Sequence, residues 1–246
     1  MAALGIDIGG SGIKGAPVDL ATGQLSAERF RLPTPENAKP EEMVQIVAAV
    51  SRHFNWQEKI GVGFPAIMIK GVAYSAANIH KDWIGKDVAT MIHAATGCLT
   101  TVVNDADAAG LAEMTFGAGR QWKRGVVLMI TLGTGIGTAV FVDGRLLPNT
   151  EFGHLEIRGK DAEWRASDAA RQRKNFSWKQ WGKRVNEFLQ CMEALIAPDL
   201  IIVGGGISKE FNLLSPYIQV RARVLPAEML NLAGIVGAAM AVESQV

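Results

Sequence analysis

Two copies of one pattern constrain this chain most: an apolar strand, a glycine turn and a second strand. The first runs Leu4-Gly5-Ile6-Asp7-Ile8-Gly9-Gly10-Ser11-Gly12-Ile13-Lys14-Gly15, and the second, about half a chain later, Met129-Ile130-Thr131-Leu132-Gly133-Thr134-Gly135-Ile136-Gly137-Thr138. Gly133-Thr134-Gly135-Ile136 echoes Gly10-Ser11-Gly12-Ile13, and internal repetition is a signal at the level of the fold. Glycines let backbone N–H groups approach an oxyanion with no Cβ in the way, so each hairpin reads as a phosphate loop. Asp7, in the strand before the first turn, is placed to face a metal ion or its waters, and Lys14 can neutralise phosphate charge. Two such hairpins suggest duplicated halves clamping one phosphate chain.

Other readings of the first copy fit less well. Gly10-x-Gly12-x-x-Gly15 matches the dinucleotide fingerprint, but that motif needs a helix to open at the glycines. Here Ile13, Ala16, Val18 and Leu20 continue as a strand to the Ala21-Thr22-Gly23 turn. A P-loop would end in Gly-Lys-Ser/Thr, whereas Lys14 is followed by Gly15. A ligand-free glycine hairpin is the plain alternative for either copy alone, and the repetition weighs against it.

The 246 residues permit one large domain or two modest ones, and a hydrophobic content of 48% suffices for a packed core. No basic segment precedes the first apolar run and no run reaches spanning length, so neither a signal peptide nor a membrane span is expected, and the location is expected to be cytoplasmic. Cys98 and Cys191 lie far apart without metal or redox spacing, which points away from a disulfide framework or thiolate zinc site. A net charge of +1 gives no global argument for a nucleic-acid or membrane partner.

Along the chain, alternation predicts a third strand over Gln24 to Leu32, a helix from Pro40 to about Phe54, and a buried strand over Lys59 to Ala66 ending in the Gly63-x-Pro65 turn. A short hairpin is expected around Lys70-Gly71. Asn78 to Trp83 mixes polar and aromatic groups as a sugar face or an ordinary surface loop would. A helix over Asp87 to Thr96 and a β-branched strand over Thr100 to Val103 deliver Asn104 and Asp105 to a strand end, where a helix over Ala106 to Met114 begins. Asn104 and Asp107 are expected to help cap that helix while Asp105 points into a cleft. Glu151, His154 and Glu156 crowd a glycine turn, a set that suits the vicinal hydroxyls of a sugar. From Arg158 to Arg184 nine Arg or Lys stand against three acids, either a lane for a polyanion or a solvated pair of helices. A helix over Lys183 to Ile196, a strand over Leu200 to Val203, the turn Gly204-Gly205-Gly206 suited to a nucleotide or more phosphate, and a small-residue helix over Asn231 to Met240 complete the chain.

Asp7-x-Gly9-Gly10, Gly63-x-Pro65, Asn104-Asp105, Thr131-Leu132-Gly133-Thr134-Gly135-Ile136-Gly137, Glu151-x-x-His154 and Gly204-Gly205-Gly206 occur in the order seen in ROK sugar kinases of the actin-like ATPase superfamily. The resemblance spans nearly the whole chain. The cysteine-rich zinc motif that usually follows Glu-x-x-His in that family is absent here, and in this the chain resembles the bacterial polyphosphate glucokinases and polyphosphate/ATP glucomannokinases. The resemblance implies an α/β fold of two actin-like ATPase (ribonuclease H-like) domains with a cleft between them. These are a small lobe over 1–104, completed by a helix over 231–246, and a large lobe over 105–230. It implies phosphorylation of glucose, and of mannose as an open alternative, at the 6-hydroxyl by polyphosphate or ATP, with Mg²⁺ held by Asp7 through water and no structural zinc. Asp105 is then the general base. Gly63, Pro65, Asn78, Asn104, Asp105, Glu151, His154 and Glu156 are the sugar residues, with Glu156 standing in for the zinc-adjacent glutamate. The donor is cradled by Asp7, Gly9, Gly10, Ser11, Gly12, Lys14, Thr131, Gly133, Thr134, Gly135 and Gly204 to Gly206.

The alternatives are a strictly ATP-dependent ROK glucokinase, a sugar-sensing ROK regulator, and an actin-like or chaperone-like ATPase without a sugar. A regulator needs a DNA-binding segment ahead of the sugar-binding body, and with the first strand at Leu4 none is expected. The ATPase leaves Glu151 to Glu156 unexplained. Monomer and homodimer stay equally open.

Overall fold

Ala2–Gly9 (β1) and Gly12–Asp19 (β2) pair antiparallel with Gly9 opposite Gly12, so that Gly10 and Ser11 alone form the turn. Their Leu4, Ile6, Ile8, Ile13, Ala16 and Val18 are all buried, as strands covered on both faces require. In the computed structural model, residues 1–77 and 79–243 are described. The chain divides into two units, Met1–Ala112 with Leu232–Val246, and Glu113–Asn231.

In the first unit the strand predicted over Gln24 to Leu32 is broken into Gln24–Leu25 (β3) and Phe30–Leu32 (β4), both paired with β2. Leu25 faces Val18 and Phe30 faces Gly15, which sets four residues, Ser26 to Arg29, against only two on β2, so they loop out. Pro40–His53 (α1) has proline and two acids at its start and buries Met43, Val44, Val47 and Val50. Ile60–Phe64 (β5) runs parallel to β1. Met68–Ile69 (β6) and Val72–Ala73 (β7) make the expected hairpin around Lys70-Gly71. Val88–Thr96 (α2) is capped by Asp87 and ends at Gly97 with φ 74°. Thr100–Asn104 (β8) lies parallel to β5 and leads directly into Asp105–Thr115 (α3). The sheet order is β3-β2-β1-β5-β8, with β4 also on β2.

The second unit repeats the plan. Val126–Leu132 (β9), Ile136–Val142 (β10) and Arg145–Leu147 (β11) form an antiparallel meander. After Glu156–Ile157 (β12), Lys160–Asp161 (β13), Ala162–Ala166 (α4), Asp168–Arg173 (α5) and Trp178–Ile196 (α6) come Leu200–Gly205 (β14), Phe211–Leu214 (α7) and Arg223–Pro226 (β15). β14 is parallel to β9 and β15 to β14, giving β11-β10-β9-β14-β15. Each sheet thus places its third, second and first strands before two parallel ones, the architecture that the repeated hairpins announce. α6 starts five residues before the predicted Lys183, because Ser177 and Gln180 close a capping box ahead of the buried Trp181.

Ala233–Met240 (α8) belongs to the first unit. Its small residues serve backbone approach. A Cβ on Gly5 or Gly61 would overlap the carbonyl oxygens of Ile235 or Ala238, and one on Gly237 would overlap that of Ala108 in α3. Among the described residues no helix is long and apolar enough to cross a membrane.

Candidate functional site

In the first unit Asp7, Lys14 and Arg31 are direct cross-strand neighbours on β1, β2 and β4, and so share one face of the sheet. Lys14 Nζ stands 2.9 Å from Asp7 Oδ2, so the cation assigned to phosphate is paired with the carboxylate assigned to the metal. The glycine turn carries a further cation that sequence reasoning missed. Arg31 Nη2 donates to the carbonyl of Ser11 at 2.6 Å, and its guanidinium fills the space a side chain at Gly12 would need. The signal was available, because a strand antiparallel to β2 had to set some residue against Lys14. Thr34 Oγ1 donates to Gly9 O at 2.6 Å and anchors the other side of the turn. Gly10 and Ser11 are exposed.

Asp7 is opposite Gly63 on β5, and a Cβ at Gly234, at the start of α8, would fall 2.5 Å from its Oδ2. A Cβ on Gly63 would lie 3.4 Å from Ala108 Cβ and 3.6 Å from the Cα of Asp105. Gly63 is therefore the bare position between the Asp7 strand and the start of α3. Asn104, buried to 5% exposure, joins the parts around it: its Nδ2 donates to Ala66 O at 3.1 Å, just past Pro65. Its Oδ1 accepts from the N–H groups of Ala106 (2.9 Å) and Asp107 (3.1 Å). Asn104 thus makes the expected cap, and Asp107 lies within the first turn, buried to 2% exposure. Asp105 is half-buried, its Oδ1 accepting from Ala106 N–H at 2.9 Å. Asn78 lies outside the described residues.

In the second unit Gly204 and Gly205 pair with Thr131 and Leu132, so the turn at Gly133 to Gly135 and the turn at Gly204 to Gly206 end adjacent parallel strands. Gly205 has φ 81°, and a Cβ there would press on Leu132 backbone, so the fold itself demands glycine. At Gly133 and Gly206 nothing lies within 4 Å of where a Cβ would stand, and neither has positive φ. These glycines are not required by packing, which leaves room for a ligand to approach the backbone. Thr134 is exposed beside Gly133.

His154 closes a short 3₁₀ turn, Phe152–His154, whose Gly153 has the carbonyl of Ile136 where a side chain would go. Its Nε2 lies 3.9 Å from Glu151 Oε2, its Nδ1 3.2 Å from Asp161 Oδ2 and 4.0 Å from Glu163 Oε1. One ligand atom from each of His154, Asp161 and Glu163 lies within 4.8 Å of the others, a nitrogen and oxygen set that a divalent cation can also accept. Burial pushes the Glu151 carboxyl above its usual range, with the imidazole of His154 opposing and Glu163 adding to the rise. Glu151 and His154 come together as expected. Glu156 is exposed on β12, and the acids at the imidazole are instead Asp161 and Glu163.

The basic stretch is less open than its composition implies. Arg158 and Arg165 both bind Glu187, whose carboxyl burial would raise but whose two arginine hydrogen bonds hold below its ordinary range. Arg171 binds Asp168 at 2.8 Å and lies over the rings of Trp178 and Trp181, Arg173 lies over Trp164, and Arg184 over Phe176. Lys160, Lys174, Lys179 and Lys183 are exposed.

The sequence profile of the ROK family matches residues 3–170. The polyphosphate glucokinase of Mycobacterium tuberculosis H37Rv is 48% identical over 238 residues, 96% of this chain and 89% of that protein. The crystal structure of the inorganic polyphosphate/ATP-glucomannokinase from Arthrobacter sp. strain KM superposes with a TM-score of 0.95 at 46% identity, over 99% of both chains. A ROK family glucokinase from Streptomyces griseus, solved with glucose and AMPPNP, gives a TM-score of 0.84 at 25% identity over 97% of this chain and 98% of that one. Each unit accordingly has the actin-like ATPase fold of those enzymes.

Proposed function

Because this chain belongs to the ROK family, we propose that it transfers a phosphoryl group from inorganic polyphosphate or ATP to the 6-hydroxyl of glucose. The observation that carries the reading is its likeness, over 99% of the chain, to a polyphosphate/ATP-glucomannokinase. Mannose is proposed as a second acceptor on the same ground.

The residues support an in-line displacement. The hydroxyl oxygen attacks phosphorus, the bridging P–O bond of the donor breaks, and the hydroxyl proton passes to Asp105. Asn104 holds that carboxylate's helix start against the Gly63-x-Pro65-Ala66 turn. Glu151, His154 and, in place of Glu156, Glu163 receive ring hydroxyls, because Glu163 and not Glu156 reaches the imidazole. Asp7, a hard oxygen donor with 15% exposure, fits a Mg²⁺ that keeps most of its waters, and Lys14 is then free to meet phosphate at the turn that Arg31 braces. Such an ion would neutralise charge on the donor. In the second unit the bare backbone at Gly133 and Gly206 lets a phosphate approach.

A coupled assay for glucose 6-phosphate tests the reading with ATP and polyphosphate in turn, and with glucose and mannose. Product with polyphosphate is expected. Product with ATP only would leave the strictly ATP-dependent glucokinase, and none with either donor would end the proposal. Gly133→Ala should leave the unfolding temperature within about 1 °C while raising the donor KM about tenfold or more, given how closely a phosphate must approach such a turn; an unchanged KM would remove the turn from the cradle. Replacing Lys174, Lys179 and Lys183 together by Gln should weaken polyphosphate use more than ATP use, and more at low salt than at high. Arg171 is unsuited to that test, since it also holds Asp168 and two tryptophans. Because the Glu151 carboxyl is raised, it takes up its proton at a higher pH than an ordinary carboxylate. The glucose KM should therefore begin to climb, as pH falls, before ordinary carboxylates titrate, and Glu151→Gln should flatten that rise.

A further inference from the structure

The turn that carries His154 is followed by a two-residue hairpin to which the proposed reaction gives no part. Pairing of Glu156 with Asp161 and of Ile157 with Lys160 leaves Arg158 (φ 53°) and Gly159 (φ 76°) as the turn, both in the left-handed region that such hairpins favour. The N–H of Ala162 donates to Leu155 O at 2.8 Å and ties the hairpin's exit to the His154 turn. Asp161, seven residues after His154 in sequence, is thereby folded back so that its Oδ2 meets Nδ1 at 3.2 Å. The opposite nitrogen, Nε2, faces Glu151 Oε2 at 3.9 Å.

We propose that Asp161 is a positioning residue that holds His154 as its Nδ1–H tautomer, presenting the Nε2 lone pair to a sugar hydroxyl. The identity of the ligand rests on the sugar-kinase reading; the tautomer does not. A carboxylate only accepts, so the ring nitrogen within hydrogen-bond distance of one, Nδ1 at 3.2 Å from Asp161, carries the hydrogen, whereas Glu151 at 3.9 Å is too far to bond Nε2, and a neutral imidazole has then one acceptor, Nε2. That acceptor lies beside a second, the Glu151 carboxylate, and two neighbouring acceptors suit two neighbouring hydroxyls of one sugar ring, each donating one hydrogen. A histidine free in water favours the opposite tautomer, whose Nε2–H would donate and so compete for the wrong partner. The hairpin therefore decides which hydrogen-bonding pattern the histidine offers.

The chain has four histidines, few enough for ring ¹⁵N NMR on the intact protein, with the His154 signals identified by their loss in His154→Gln. The ligand-free wild type should show His154 protonated on Nδ1. Asp161→Ala should convert it to Nε2–H, raise the glucose KM about tenfold, the scale of one well-made hydrogen bond, and change kcat less than about twofold. Asp161→Asn, whose carboxamide oxygen still accepts, should restore the tautomer and most of the KM. Nε2–H in the wild type, or a KM unmoved by Asp161→Ala, overturns the proposal. So does a wild-type His154 signal that shifts when EDTA is added, because Asp161 and His154 would then be holding a cation between them. If no sugar is phosphorylated by the wild type, the kinase reading fails while the tautomer spectrum still stands or falls by itself.

Discussion

Asp105→Ala should lower kcat for sugar phosphorylation by about 10²-fold to 10⁴-fold, the range that a general base supplies, and should leave the protein folded. The fold should survive because Asn104 caps α3 through the N–H groups of Ala106 and Asp107, while Asp105 accepts from the adjacent Ala106 N–H, which Asn104 also binds. Asp105→Asn sharpens the measurement. Its side-chain oxygen can keep the bond to Ala106 N–H, so the geometry is retained while the capacity to take up a proton is lost. Both variants should therefore fail to a similar extent in kcat and keep the wild-type unfolding temperature. An asparagine variant that turns over at near wild-type rate would show that no base is needed at this position, and that positioning and charge neutralisation carry the reaction.

Gly237→Ala should cost the first unit about 3 kcal/mol or more, at the severe end of overpacking, because the added methyl meets backbone and not a movable side chain. Gly237 faces the carbonyl oxygen of Ala108, while Gly5 and Gly61 meet carbonyls of α8 in the same way, so α8 cannot be shifted from α3 without disturbing its seat on β1 and β5. For a chain of this size the loss corresponds to a fall of roughly 6–12 °C in unfolding temperature. Calorimetry on Gly237→Ala beside Gly133→Ala makes the contrast: the first should drop and the second should not. Equal temperatures for the two would show that α8 has freedom that its packing denies. Activity should fall with Gly237→Ala as well, because Gly234 on the same helix backs Asp7.

Much of the fold was legible because it is periodic and repeated. Buried β1 and β9 read as apolar runs, the glycine turns marked both hairpins, and Pro40, Asp87 and Gly97 delimited their helices through local chemistry. Errors fell where local signals were silent. The break between β3 and β4 follows from a mismatch in register against β2, which alternation along one strand does not reveal. The early start of α6 was encoded in Ser177 and Gln180 but masked by the surrounding charge.

The candidate site divides in the same way. Asn104, Asp105, Glu151 and His154 declared themselves by residue type next to a turn. Arg31, Asp161 and Glu163 did not: Arg31 reaches its partner by lying across β2 from Lys14, Asp161 by the Arg158-Gly159 turn that folds it onto His154, and Glu163 from α4 just after that hairpin. By itself the sequence determined the doubled α/β plan and the chemical types at the strand ends, because strand periodicity and glycine turns are properties of neighbouring residues. Only the tertiary structure decided which charges are already engaged, as Lys14 is by Asp7 and Arg158 and Arg165 are by Glu187, and which glycines packing requires. Those outcomes depend on distances between residues remote along the chain, and no local pattern carries them.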